Sequence, residues 1–225
     1  MIFPIGDQNV EGGSKPFVTY SLLLANILLF YYHFTLPPDA FESFFFQYGA
    51  VPADILEGKN LFSLFSSIFL HGGIAHLLGN MLFLWVFADN IEAVAGHWRF
   101  LFYYLAGGLA AGLFHVIFNP GSTIPAIGAS GAISAVLGTY FIFFPRSQIR
   151  VLIIFFFRSV YVPALVFLGI WIAMQLYSGV GTLNSAAGSG GVAWWAHIGG
   201  FFFGVMYGLI YKRKLVYRWM SDHTV

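Results

Sequence analysis

Three short clusters place polar side chains inside runs that are otherwise apolar, where a hydrogen-bonding or ionisable group is costly and therefore a functional hypothesis by default. His71-Gly72-Gly73-Ile74-Ala75-His76-Leu77-Leu78-Gly79-Asn80 sets His76 and Asn80 four apart, on one face of a helix. Gly128-Ala129-Ser130-Gly131 sets a serine between glycines where a loop becomes a helix. An Oγ there is accessible, and the N–H groups of the first helical turn point at any negative charge that develops nearby. Ala196-His197-Ile198-Gly199-Gly200-Phe201-Phe202-Phe203-Gly204 sets a histidine one turn from a row of glycines at 200, 204 and 208.

Each cluster also has a structural reading. His76 and Asn80 could be interhelical hydrogen bonds, Ser130, Ser134 and Gly138 a small-residue packing row, and His197 an ordinary core histidine. The mutual fit of the last two clusters raises them above that reading. Two small-residue rows would let the helices carrying Ser130 and His197 approach closely. No His-Glu-x-x-His occurs, which disfavours a zinc metalloprotease. The absence of cysteine excludes thiolate-zinc sites, disulfides and a cysteine nucleophile. No metal or other cofactor is implied.

The elements that must position these residues are legible from composition. Of 225 residues, 59% are apolar and only 8% are Asp, Glu, Lys or Arg, against about 25% charged in a typical soluble domain. A lipid bilayer is the solvent that suits such a chain. The net charge of +1 gives no sign of a nucleic-acid partner. Spanning helices need about 20 apolar residues. Six segments qualify, at about 17–36, 72–92, 97–118, 130–145, 151–177 and 192–212.

The expected class is therefore an all-α, polytopic membrane protein: a six-transmembrane-helix bundle. With both termini inside, the inner side holds Lys15, Arg99, Arg146, Arg150, Lys212, Arg213, Lys214 and Arg218, and the outer side only Lys59. The positive-inside rule thus gives N-in, C-in. Arg158 falls inside the fifth segment and is expected to snorkel back to the inner interface. Residues 1–16 form a short inner tail without signal-peptide character, 17–212 the helical domain, and 213–225 a basic inner tail. The outer loop 37–70 mixes Phe44-Phe45-Phe46 with five charged residues, which suggests a partly embedded interfacial structure. A polar, Gly-rich loop at 179–191 would suit a mobile cap.

Taken together and in this order, His71-x4-His76-x3-Asn80, Gly128-Ala129-Ser130-Gly131 and Ala196-His197-x2-Gly200-x3-Gly204 resemble the rhomboid family of intramembrane serine proteases. Trp85 to Glu92, Gly96-His97-Trp98-Arg99-Phe100 and Pro145-Arg146 also look like bacterial members. The resemblance implies a catalytic Ser130–His197 dyad without a third acid. It implies an oxyanion hole from His76, Asn80 and the Ser130 backbone N–H, with His71 supporting the outer loop. Gly128 and Gly131 would shape the serine turn, and Gly200 and Gly204 would press the sixth helix onto the fourth. The implied substrates are transmembrane segments, mostly of single-pass proteins, within the lipid bilayer. The absence of a targeting segment and the compact core suggest a bacterial plasma membrane.

Two features depart from the family pattern. The 37–70 stretch has no Trp-Arg pair, and Ser134 stands where some members carry an aromatic residue beneath the catalytic histidine. That leaves open what orients His197. The alternative function is a catalytically silent relative that binds transmembrane helices, although such relatives lack the serine or the histidine. A transporter would need intramembrane charges or broken paired helices along a path; only Arg158 is available, and no internal inverted repeat is visible.

Overall fold

A computed structural model describes residues 2–8, 15–182 and 191–223. In chain order the elements are β1 (Ile2–Gly6), α1 (Phe17–Phe34), α2 (Pro38–Tyr48), α3 (Pro52–Leu56), α4 (Ser63–Ser66), α5 (Ile74–Ala95) and α6 (His97–Phe118). Then follow α7 (Ser130–Phe143), β2 (Gln148–Ile153), β3 (Arg158–Pro163), α8 (Ala164–Thr182) and α9 (Trp194–His223). Among the described residues four helices, α1, α5, α6 and α8, are long and apolar enough to cross a membrane. The central helix, α7, is shorter at 14 residues and is buried on every side, the pattern of a helix enclosed by others.

α1 begins without a side-chain cap of its own at Pro16. Its free N–H groups are met instead by the fully buried Glu92 of α5, whose carboxylate accepts from Val18 N at 2.8 Å and Thr19 N at 2.7 Å. Thr19 Oγ1 at 2.7 Å and His97 Nδ1 at 2.5 Å complete the set. A carboxylate at a helix N-terminus satisfies orphan donors and complements the helix dipole.

The segment between α1 and α5 is fastened to the loop that leads into α7. Ala50 and Ala126 exchange backbone bonds of 2.9 Å, Ala53 N donates to Ser122 O at 3.0 Å, and Gly128 N donates to Ser67 O at 2.9 Å. The ring of His33 on α1 packs among Phe41, Phe44 and Phe45 of α2. This is a folded cover of short helices with aromatic contacts. The 183–190 part of the expected cap loop lies outside the described residues.

The structure corrects two expectations. The chain is mostly helical but not all-α, because β1, β2 and β3 form an antiparallel sheet in that order. The expected helix over 151–177 begins only at Ala164; the residues before it form the β2–β3 hairpin. A short apolar run reads alike as buried strand or helix. Here Val, Ile and Tyr favour the strand, and Phe157, at φ +48°, reverses the chain. Arg158 therefore stands exposed at the start of β3, with no helix to snorkel along. Ile149 and Val151 of β2 are buried beneath the bundle with Ala164 and Leu168. Asp7, just after β1, accepts from Asn90 Nδ2 at 2.6 Å and from the Tyr140 hydroxyl, and burial pushes its carboxyl up to about 6.

α7 and α9 make the closest helix pair. A Cβ on Gly200 would overlap the Gly131 carbonyl oxygen, and one on Gly204 the Ala135 carbonyl oxygen. Thr139 Oγ1 donates to Gly204 O across the same seam at 2.9 Å. Because nothing can move out of the way except backbone, Gly204→Ala should force the helices apart. The expected loss is about 1–3 kcal/mol, seen as a lower unfolding temperature in detergent. Gly169→Ala on α8, where an added Cβ meets nothing within 4 Å, should leave that temperature unchanged.

Candidate active site

Ser130 is the first residue of α7, so its side chain sits at a helix N-terminus where neighbouring N–H groups lack intrahelical partners. The turn before it needs glycine at position 128 twice over. Gly128 has φ +125°, and a Cβ there would lie 2.8 Å from His76 Nε2 and 3.5 Å from Asn80 Nδ2. The same crowding shows that the His76 ring and the Asn80 amide close on the backbone two residues before Ser130.

His197, near the start of α9, comes against Ser130 across the glycine seam: His197 Nε2 and Ser130 Oγ are 2.8 Å apart. The imidazole is buried at 9% exposure, and Ser130 is half-buried. On its other edge, His197 Nδ1 lies 2.8 Å from Gln175 Oε1 of α8. Trp171, one turn before Gln175, lies 6.0 Å from the imidazole by ring centres, tilted by 35°. Ser134 turns its hydroxyl away to its own helix, donating to the Ser130 carbonyl at 2.6 Å.

Asn80 Nδ2 and His71 Nε2 lie 2.9 Å apart, a hydrogen bond that holds the amide against the His71 ring. His71 is fully buried, its ring 5.1 Å from that of His76, and its own carbonyl accepts from His33 Nε2 at 2.9 Å. His71 therefore grips Asn80 with its ring, while its backbone ties α1 to the turn. A cavity of about 30 Å³, lined by Ser130, Gly128, Gly131 and His115 among others, adjoins the serine. That is room for about one water molecule. No group of three or more His, Cys, Asp or Glu side chains clusters among the described residues.

The sequence residues Ser130, His197, His76, Asn80, His71 and Gly128 thus gather at one end of α5, α7 and α9, with Gly131, Gly200 and Gly204 in the seam below. Two neighbours were missed, Gln175 and His115. Gln175 had a usable signal, a carboxamide amid the apolar residues of a span. His115 had only its position within an apolar helix.

The family model for the Rhomboid domain matches residues 58–214. "Rhomboid protease GluP" of Bacillus subtilis is 34% identical over 55% of this chain and 24% of its own length. "Rhomboid protein 1, mitochondrial" of Saccharomyces cerevisiae is 31% identical over 65% of this chain and 40% of its own. "RHOMBOID-like protein 4" of Arabidopsis thaliana is 30% identical over 76% of this chain and 39% of its own. The chain thus spans less than half the length of these relatives. The matched region holds every one of the gathered residues, from His71 to Gly204, and the chain belongs to the rhomboid family of integral membrane proteins.

Proposed function

We propose that this protein is an intramembrane serine endopeptidase that cleaves transmembrane segments, mostly of single-pass proteins, in a bacterial plasma membrane. In this reading residues 17–212 form the protease domain. The chain spans the bilayer six times with both termini inside, α7 and α9 completing the four long apolar helices. The observation that carries the proposal is the 2.8 Å contact between Ser130 Oγ and His197 Nε2, a nucleophile and base within proton-transfer reach.

The chemistry follows from the geometry. His197 Nε2 takes the Ser130 proton as Oγ attacks the scissile carbonyl carbon. The oxyanion that develops is held by the Asn80 amide, the His76 ring and the Ser130 backbone N–H. The imidazolium then returns its proton to the departing amine, leaving an acyl-enzyme. Water from the cavity beside Ser130, deprotonated by the same imidazole, hydrolyses that ester. At about 1.5 Å per residue, α7 spans roughly 21 Å of a hydrocarbon core about 30 Å thick, so its N-terminal serine can sit below the membrane surface in a protein-lined recess. A substrate helix must unwind to present its carbonyl there, since lipid-facing backbone keeps its hydrogen bonds.

Labelling of purified protein with a fluorophosphonate probe should mark the wild type and neither Ser130→Ala nor His197→Ala, with all three equally folded. A well-folded wild type that takes no label would instead favour a silent helix-binding relative. Asn80→Ala should lower kcat for a transmembrane substrate by about 10²–10³, or roughly 2.7–4 kcal/mol. Collapse of folding with an unchanged rate in the remaining protein would make Asn80 structural.

A further inference from the structure

We infer that Gln175 is a positioning residue that fixes the tautomer and the plane of His197; the inference rests on the protease reading above. Gln175 Nε2 donates to the Trp171 carbonyl one turn back on α8, at 3.3 Å. A carbonyl can only accept, so the amide nitrogen must face it, and Oε1 must face His197. Oε1 can only accept in turn, so the proton at the 2.8 Å contact sits on His197 Nδ1. A neutral imidazole protonated at Nδ1 has its free lone pair on Nε2, which is the atom 2.8 Å from Ser130 Oγ. The backbone of α8 therefore dictates the ring nitrogen that serves as base.

This contact answers the question that Ser134 leaves open. With the Ser134 hydroxyl bonded to its own helix, the imidazole is held instead by Gln175 and flanked by Trp171. It also gives α8 a specific attachment. That helix buries only Ala164, Leu168, Gln175 and Gly179 along one stripe, and Gln175 is the polar member.

Gln175→Leu keeps the bulk and removes the acceptor; Gln175→Glu keeps an acceptor oxygen in place. For a transmembrane substrate, Gln175→Leu should lower kcat roughly ten- to a hundredfold, the scale of one buried hydrogen bond, with KM unchanged. Gln175→Glu should stay within several-fold of wild type. Nitrogen-15 spectra of histidine-labelled protein, with His197 assigned through His197→Ala, read the tautomer independently of turnover. The wild type should show a neutral ring protonated at Nδ1, and Gln175→Leu a mixture of tautomers. An unchanged tautomer in Gln175→Leu would overturn the inference even if the wild type proved inactive. So would equal loss of kcat in both variants.

A separate observation concerns the β2–β3 hairpin, and the geometry points to its tip as an anchor in the adjacent lipid leaflet. β2 alternates, with Ile149 and Val151 buried beneath the bundle and Arg150 exposed on the opposite face. β3, by contrast, is exposed at five of its six residues, so the return strand and the turn stand clear of the bundle. There Ile154, Phe155, Phe156 and Phe157 stand 41%, 82%, 64% and 89% exposed. Four contiguous exposed apolar side chains mark a docking surface. At the end of a membrane bundle the neighbouring apolar medium is the leaflet itself. Arg150 and Arg158 flank the tip, as cations that pair with anionic headgroups while aromatic rings sit at the interface.

The chain has no cysteine, so Phe156→Cys gives a single spin-label site in vesicles of phosphatidylcholine and phosphatidylglycerol. The label should be relaxed by oxygen and not by a water-soluble nickel chelate, and a label at Arg150→Cys should behave oppositely. Relaxation by nickel at position 156 would put the tip in water and overturn the anchor. Dipolar broadening there would replace the leaflet with a second copy of the chain.

Discussion

The close approach of α7 and α9 is what brings Ser130 and His197 together. Two helices in lipid gain nothing from hydrophobic exclusion against each other, because lipid tails are as apolar as their own side chains. Close backbone approach and the bond from Thr139 to the Gly204 carbonyl must do that work. Ser130 precedes Gly131 directly and His197 lies one turn before Gly200, so the gap between hydroxyl and imidazole follows from where the glycines let the backbones meet. Tyr103 of α6 joins the same seam, its hydroxyl within 2.5 Å of the Ala135 carbonyl and 2.6 Å of Thr139 Oγ1.

Around that seam several buried polar groups find partners on other elements, which offsets the cost of a low-dielectric interior. Glu92 of α5 completes α1, His71 holds Asn80, and the Gln175 amide bridges its own helix backbone to His197. The last two brace the end of the bundle where Ser130 and His197 meet.

Much of this was legible in the sequence because glycine, serine and histidine are conspicuous among Phe, Leu and Ile. The boundaries of α6 at His97 and Phe118 match the apolar run, and α7 begins at the serine that opens its segment. The region from 151 to 163 was not legible, since a run of Val, Ile and Phe satisfies a hydropathy window whether or not it is helical. Only the pairing partners, Ile2 to Gly6 on one side and the hairpin's own return strand on the other, distinguish the cases. Gln175 escaped because it belongs to no motif. Its meaning depends on His197 lying opposite, a fact of tertiary packing, not of spacing. Glu92 stood beside a recognisable turn, yet its part in completing α1 depends on a helix 73 residues earlier in the chain.

The sheet has a consequence for how the protein is made. β1 emerges from the ribosome before any of the helices α1 to α9, but the strand it pairs with lies between α7 and α8, and Asp7 finds the Tyr140 hydroxyl only 133 residues later. Synthesis runs from the N-terminus and long-range closure is slow. The first strand must therefore wait, unpaired, while the greater part of the bundle enters the bilayer. Its docking is a late step in assembly, possible only once α5, α7 and β2 have all arrived.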